Sequence, residues 1–160
     1  MLRQRITPNL WFDTQALEAA EFYCSIFPNS RVVTVARYPE GTGDRAGQVL
    51  TVEYELDGQR CVNLNGGPEF TFSEAVSFQI NCADQAEVDR YWDALTADGG
   101  QEQPCAWLKD RWGLSWQIVP DRLIELIRDP DPDRSHRAVQ AMFTMTKIDI
   151  AAIEAAADAS

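Results

Sequence analysis

The feature that most restricts the fold is a repeat of order. A strand-like run at 6–12 (Ile6-Thr7-Pro8-Asn9-Leu10-Trp11-Phe12) leads into a helix-like run over 15–27, and the same order returns at 75–82 and 84–97. Gln15-Ala16 leading to Phe22-Tyr23 is echoed 70 positions later by Gln85-Ala86, followed, with one gap, by Tyr91-Trp92. In the first copy, Ala16, Ala19, Ala20, Tyr23, Ile26 and Phe27 recur at helical spacing, and Pro28-Asn29 stops the helix. Three strands are then predicted at 31–38, 48–56 and 60–65. Asp57-Gly58 joins the last two as a two-residue hairpin. In the second copy Asp84 caps the helix and Gly99-Gly100 ends it. A hairpin over 107–120 follows, turning at Asp110-Arg111-Trp112-Gly113 with the glycine left-handed. This is an α+β pattern repeated once. A tail from 121 onward adds a short helix at 123–127, a proline-interrupted turn at 129–133, and amphipathic helices at 138–143 and 148–157. Such a tail packs on the domain or on a second subunit.

Charge removes several classes of function. With 14 Lys and Arg against 25 Asp and Glu the formal charge is −11, which repels nucleic acid phosphates and anionic lipid, so neither partner is expected. No apolar run reaches transmembrane length, and Met1-Leu2-Arg3-Gln4-Arg5 lacks the apolar stretch of a signal peptide. A cytoplasmic protein is expected. Cys24, Cys61, Cys82 and Cys105 form no C-x-x-C pair and read as reduced, packed thiols. No histidine near Cys61 or Cys105 would generate a thiolate. His136, the one histidine, reads as a surface residue.

Strand alternation sorts the remaining candidates onto two faces. Leu10, Phe12, Leu50, Val52, Tyr54, Val62, Leu64, Phe78, Ile80, Leu114, Trp116 and Ile118 form an apolar set suited to packing under the helices. The opposite set holds Asn9, Trp11, Glu53, Asn63, Asn65, Ser77, Gln79, Asn81, Ser115 and Gln117. If the sheet curves, that face is a cup of amides, hydroxyls and tryptophan, suited to a small, weakly polar molecule. An antiparallel sheet also exposes one face to water with no ligand at all. Asparagine is nevertheless depleted from strands, so Asn63, Asn65 and Asn81 ask for a reason. Glu53 is the candidate general base; a solvated carboxylate is the plainer reading. The loop 69–73 carries Phe70 and Phe72, which could cover the cup.

Several phrases agree in order and spacing with one family. Ile6-Thr7-Pro8-Asn9-Leu10-Trp11-Phe12-Asp13, Asn63-Leu64-Asn65-Gly66-Gly67-Pro68, Ser77-Phe78-Gln79-Ile80-Asn81-Cys82, Gly113-Leu114-Ser115-Trp116-Gln117 and the tail from Gln140-Ala141-Met142 to Lys147-Ile148-Asp149 resemble the PhnB-like proteins. These form a branch of the vicinal oxygen chelate superfamily, alongside glyoxalase I, extradiol dioxygenases and bleomycin-resistance proteins. The resemblance implies paired βαβββ modules (about 5–65 and 75–120, within 1–120), forming a cupped mixed or antiparallel sheet with helices on its outer face. A C-terminal helical extension of the same domain over 121–160 completes it, and a homodimer is implied. Metal-using relatives place His, Glu or Gln ligands on four strands. By resemblance those places fall near Thr7 to Asn9, at Asn63, at Ser77 and at Gln117, none of them histidine or carboxylate.

The expected protein is therefore metal-free and without a cofactor. It binds a small, fairly apolar ligand among Asn9, Trp11, Asn63, Ser77, Gln79, Trp107 and Gln117, under Phe70 and Phe72. The alternatives are a metal-dependent lyase or isomerase of the glyoxalase type, or a methyltransferase as the branch's label, 3-demethylubiquinone-9 3-methyltransferase, implies. Against the latter, no glycine-rich loop follows a first parallel strand.

Overall fold

The computed structural model describes residues 4–159; Met1 to Arg3, part of the N-terminal stretch read above, and Ser160 lie outside the described residues. The chain divides into two compact units, Met1–Thr71 and Phe72–Ser160.

The first unit runs β1 (Asn9–Phe12), α1 (Ala16–Ile26), β2 (Arg31–Arg37), β3 (Val49–Leu56) and β4 (Gln59–Asn65), in the sheet order β1-β4-β3-β2. β1 lies parallel to β4; the other pairs are antiparallel. The hairpin between β3 and β4 is the predicted two-residue one: Asp57 and Gly58 both take positive φ, at 43° and 85°, and Leu56 pairs with Gln59. α1 buries Ala16, Ala19, Ala20 and Tyr23 against the sheet. Three of these are alanines, so the helix sits close to the strands and Tyr23 reaches Tyr54, with ring centroids 6.4 Å apart.

The second unit repeats the order with β5 (Ser77–Cys82), α2 (Gln85–Thr96), β6 (Gln101–Glu102), β7 (Trp107–Lys109) and β8 (Ser115–Pro120), arranged β5-β8-β7-β6. β5 and β8 are parallel, as β1 and β4 are. α2 begins with a reciprocal cap: the Asp84 carboxylate accepts from the Glu87 amide, and the Glu87 carboxylate reaches back to accept from the amide of Ala83, just before the N-cap. Val88, Tyr91, Trp92 and Leu95 form its buried stripe.

The turn between β7 and β8 is organised by Asp110, which is 2 % exposed. Its carboxylate accepts from the amides of Trp112 (3.0 Å) and Leu114 (3.1 Å) and from the Trp116 indole (2.9 Å). Gly113, at φ +87°, closes the turn by donating to the Asp110 carbonyl. A buried carboxylate is tolerable there because three donors converge on it.

The tail belongs to the second unit. α3 (Asp121–Ile127), α4 (Pro132–Phe143) and α5 (Ile150–Ala157) enclose a cluster of Leu123, Leu126, Ala138, Ile148, Ile153 and Ala157 with Ala106 and Val119 of the sheet region. It is stitched down by Gln85, which donates to the Ile148 carbonyl and accepts from the Ile150 amide. The Cys105 and Ala106 amides donate to Met145 and Thr146. α4 starts at Pro132, where the sequence reading placed a turn: Asp131 caps it and Pro132 takes the first helical position, where its missing N–H costs nothing.

Candidate functional site

The strand register decides which side chains share a face, and it corrects one strand. Leu10 and Val52 both pair with Asn63, Phe12 pairs with Asn65, and Tyr54 pairs with Cys61. Cys61, Asn63 and Asn65 therefore lie beneath α1, while Val62 and Leu64, expected there, lie on the opposite, open face. Sorting by hydrophobicity failed at β4 because its two asparagines serve the helix. Asn63, fully buried, accepts from the Tyr54 hydroxyl (2.8 Å) and donates to the Ala16 carbonyl (3.0 Å). Asn65 accepts from the Ala16 amide (2.8 Å) and donates to the Val49 carbonyl (3.1 Å). Gln15, at the N-cap position of α1, makes no side-chain cap, so Asn65 supplies the acceptor from a neighbouring strand. In the second unit Asp84 caps locally, and no strand asparagine is needed.

The rest of that phrase is structural too. A Cβ on Gly66 would lie 2.1 Å from the Trp11 ring, and Gly67 has φ +100°. Trp11, half-buried on the open face, donates to the Gly67 carbonyl (2.8 Å), and Phe70 stands edge-on to it at 5.0 Å. Phe70 is 59 % exposed; Phe72, in the second unit, is half-buried. Asn9 is exposed and bonds the Thr7 carbonyl. Glu53 lies exposed opposite Val62, without an ion pair or hydrogen bond among the described residues.

The open face of the second sheet carries the neutral row as expected. Gln117 pairs with Gln79 on one side and Trp107 on the other, while Ser115 pairs with Ser77 and Lys109. The half-buried Gln117 amide donates to the Ser77 hydroxyl (2.8 Å), and the exposed Gln79 amide donates to Asn81 (2.7 Å). Ser115 is fully buried, and its hydroxyl has no hydrogen-bond partner among the described residues. Lys109 is held by Glu74 at 2.6 Å. Side chains on one strand face recur every second residue, so Ser115 and Gln117 stand side by side.

The donor set does not suit a divalent metal. Among the described residues no group of three or more His, Cys, Asp or Glu could hold an ion. Asn63 is committed beneath α1, and Ser77 and Gln117 bond each other. The 70-position repeat and the register (Asn9 with Val62, Gln79 with Gln117) place Val62 at the β4 counterpart of Gln117. The thiols offer no substitute. Burial pushes Cys61 up to about 11 and Cys82 up to about 12 from 9.0, so both are neutral at physiological pH.

Paired βαβββ modules, each with a helix on one face of a mixed four-stranded sheet, define the glyoxalase-like fold of the vicinal oxygen chelate proteins. The family model for 3-demethylubiquinone-9 3-methyltransferase matches residues 4–119, and the chain belongs to that family, the PhnB-like one. A PhnB protein of Bacillus cereus is 30 % identical, with 73 % of this chain covering 99 % of that one at a TM-score of 0.67. Protein PA1353 of Pseudomonas aeruginosa is similar in fold at 18 % identity (74 % and 100 % covered, TM-score 0.60). So is the fosfomycin resistance protein FosX of Mesorhizobium loti at 12 % (74 % and 92 %, TM-score 0.52). No curated protein matches the sequence.

Proposed function

We propose that the chain is a metal-free small-molecule binder whose ligand rests on the open face of the second sheet, among Ser77, Gln79, Trp107, Ser115 and Gln117. The observation that carries this is the half-buried Gln117–Ser77 pair, set beside Trp107 across the β7–β8 register. The fully buried Ser115 hydroxyl next to the pair lacks a partner among the described residues, a deficit of ~1–3 kcal/mol that an ordered water would remove. Trp107 supplies flat apolar area next to these groups, the mix typical of small-ligand sites. The ligand is therefore uncharged and mostly apolar, with one or two hydrogen-bonding atoms.

The family description invites methyl transfer and the fold invites metal-assisted chemistry, and both are tested directly. Titration with Ni²⁺, Zn²⁺ and Mn²⁺ should give no stoichiometric binding, and calorimetry with S-adenosylmethionine no heat of association. Tight metal binding abolished by Gln117→Ala, or micromolar affinity for S-adenosylmethionine, would overturn the proposal. A cytoplasmic homodimer accompanies it. No helix of the described residues is long and apolar enough to cross a membrane, and light scattering of the purified protein should return twice the chain mass.

A further inference from the structure

The first unit holds a hollow of about 350 Å³ away from its open-face row, at the end of the sheet where α1 begins. Asp13, Thr14, Tyr38, Arg45, Gln48 and Asn65 contribute its polar lining, and Val49 and Pro68 its apolar wall. The loop from 39 to 47 that carries Arg45 is closed at its base, where Tyr38 and Gln48 pair and Gly47 donates to the Tyr38 carbonyl. Arg45 is held over the Tyr38 ring, its guanidinium carbon 5.7 Å from the centroid and its Nη1 3.4 Å from the phenol oxygen. Tyr38 is fixed in turn, donating to the Asn65 carbonyl at 2.8 Å.

Two charges in this hollow lack protein counter-ions. Arg31, Arg60, Lys109, Arg111, Arg122, Arg134 and Lys147 find acids, whereas Arg5, Arg37, Arg90, Arg128 and Arg137, like Arg45, form no ion pair among the described residues; Arg45 differs from these in lining a hollow that also holds an unpaired carboxylate. Arg45 is preorganised by stacking, yet no carboxylate among the described residues pairs with it, and Asp13 has no cation. With Nη1 on the Tyr38 hydroxyl, the stacked guanidinium keeps its Nε and Nη2 donors for a planar carboxylate. The neighbouring Asp13 repels a pure anion and favours a ligand that also carries an ammonium group.

We propose that this hollow is a second ligand site, taking a small zwitterion of the α-amino acid class. Arg45 receives the carboxylate, Asp13 receives the ammonium group, and Thr14 and Gln48 are at hand for hydrogen bonds. The volume lies at the small end of ligand pockets, about 300–1,000 Å³, which suits a single amino acid. The site stands independently of the binding face proposed above.

The test is amide NMR of the full chain titrated with L-leucine, L-leucinamide and 4-methylpentanoate, which share a skeleton and differ in charge. Leucine should give saturable shifts at 38–48 and 13–16 and bind most tightly of the three. Arg45→Gln should weaken it about tenfold or more, the loss of one charge-assisted contact. Asp13→Asn should bring leucine down to the level of 4-methylpentanoate. Absence of saturable shifts at tens of millimolar, equal binding by Arg45→Gln, or equal binding of all three probes would refute the site. Shifts confined to Ser77, Trp107 and Gln117 would refute it as well, while leaving the other face intact.

Discussion

Replacing Asn65 by alanine separates a structural role from a binding role. The side chain makes two bonds at a position 9 % exposed: it accepts from the first helical amide, Ala16, and donates to the Val49 carbonyl. Ala16 is itself fully buried, so its amide would be left unmet near the uncapped start of α1, at a cost of ~1–3 kcal/mol. The lost bond to Val49 adds ~0.5–1.5 kcal/mol, giving a loss of about 2–4 kcal/mol. For a chain of this length that lowers Tm by roughly 5–15 °C. Urea melts followed by far-ultraviolet circular dichroism measure it, with Gln79→Ala as the matched control. Gln79 is also a strand amide, but it is exposed and bonds Asn81, so its loss should fall within about 0.5 kcal/mol. If Asn65→Ala melts with wild type, the capping account of the asparagine phrase is wrong.

Asp110→Ala should be among the most damaging single changes, at about 3–6 kcal/mol, because three donors lose one buried carboxylate; a melt within 1 kcal/mol of wild type, on the ~1–3 kcal/mol scale per unmet group, would contradict this. Glu53→Gln should leave both stability and ligand binding unchanged within about 0.5 kcal/mol, and a larger effect would revive the carboxylate as a working group. Cys61 and Cys82 set an alkaline limit. Their thiols ionise near 9.0 when unfolded but only at about 11 and about 12 when folded, so between these values the unfolded chain has released protons that the native state still holds. Stability from these groups is whole below pH 9.0 and falls as pH rises toward 11–12. Denaturation midpoints across that range should drop less in a Cys61→Ala, Cys82→Ala double variant.

Much of this architecture was legible in the residues. Helical spacing located α1, the Asp84 cap and the Gly99-Gly100 stop located α2, Asp57-Gly58 marked its hairpin, and the repeat predicted two like modules. The face of β4 was not legible, because alternation divides a strand into two sets without saying which set meets the helix. Hydrophobicity is the usual arbiter, and Val62 and Leu64 outvoted Asn63 and Asn65. What the chain needed was an acceptor for Ala16, a partner across 49 positions that no local pattern reveals. The depletion of asparagine from strands was the available signal; the cap was hidden, because Asp13 and Thr14 are good cap residues by type but the helix starts at Ala16 with Gln15 at the N-cap position. β6 is two residues long, too short to show a period. The neutral row of β5 and β8 was readable because there the apolar set, Phe78, Ile80, Trp116 and Ile118, does face α2's side of the sheet, while β7 adds Trp107 and the ion-paired Lys109 to the same face as the row.

The binding face is tested most directly by a fragment screen read out through tryptophan. Uncharged, mostly apolar compounds carrying one carbonyl or hydroxyl are titrated against the wild-type protein and against Gln117→Leu and Ser115→Ala, following Trp107 emission with a Trp107→Phe variant to assign the signal. Some of these compounds should give saturable quenching or a blue shift in the wild type. Gln117→Leu should reduce affinity about tenfold, the cost of leaving a ligand hydrogen bond unmade, and added Ni²⁺, Zn²⁺ or Mn²⁺ should make no difference. Saturable binding that survives both substitutions unchanged, or that requires one of those metals, would contradict the proposed binding face.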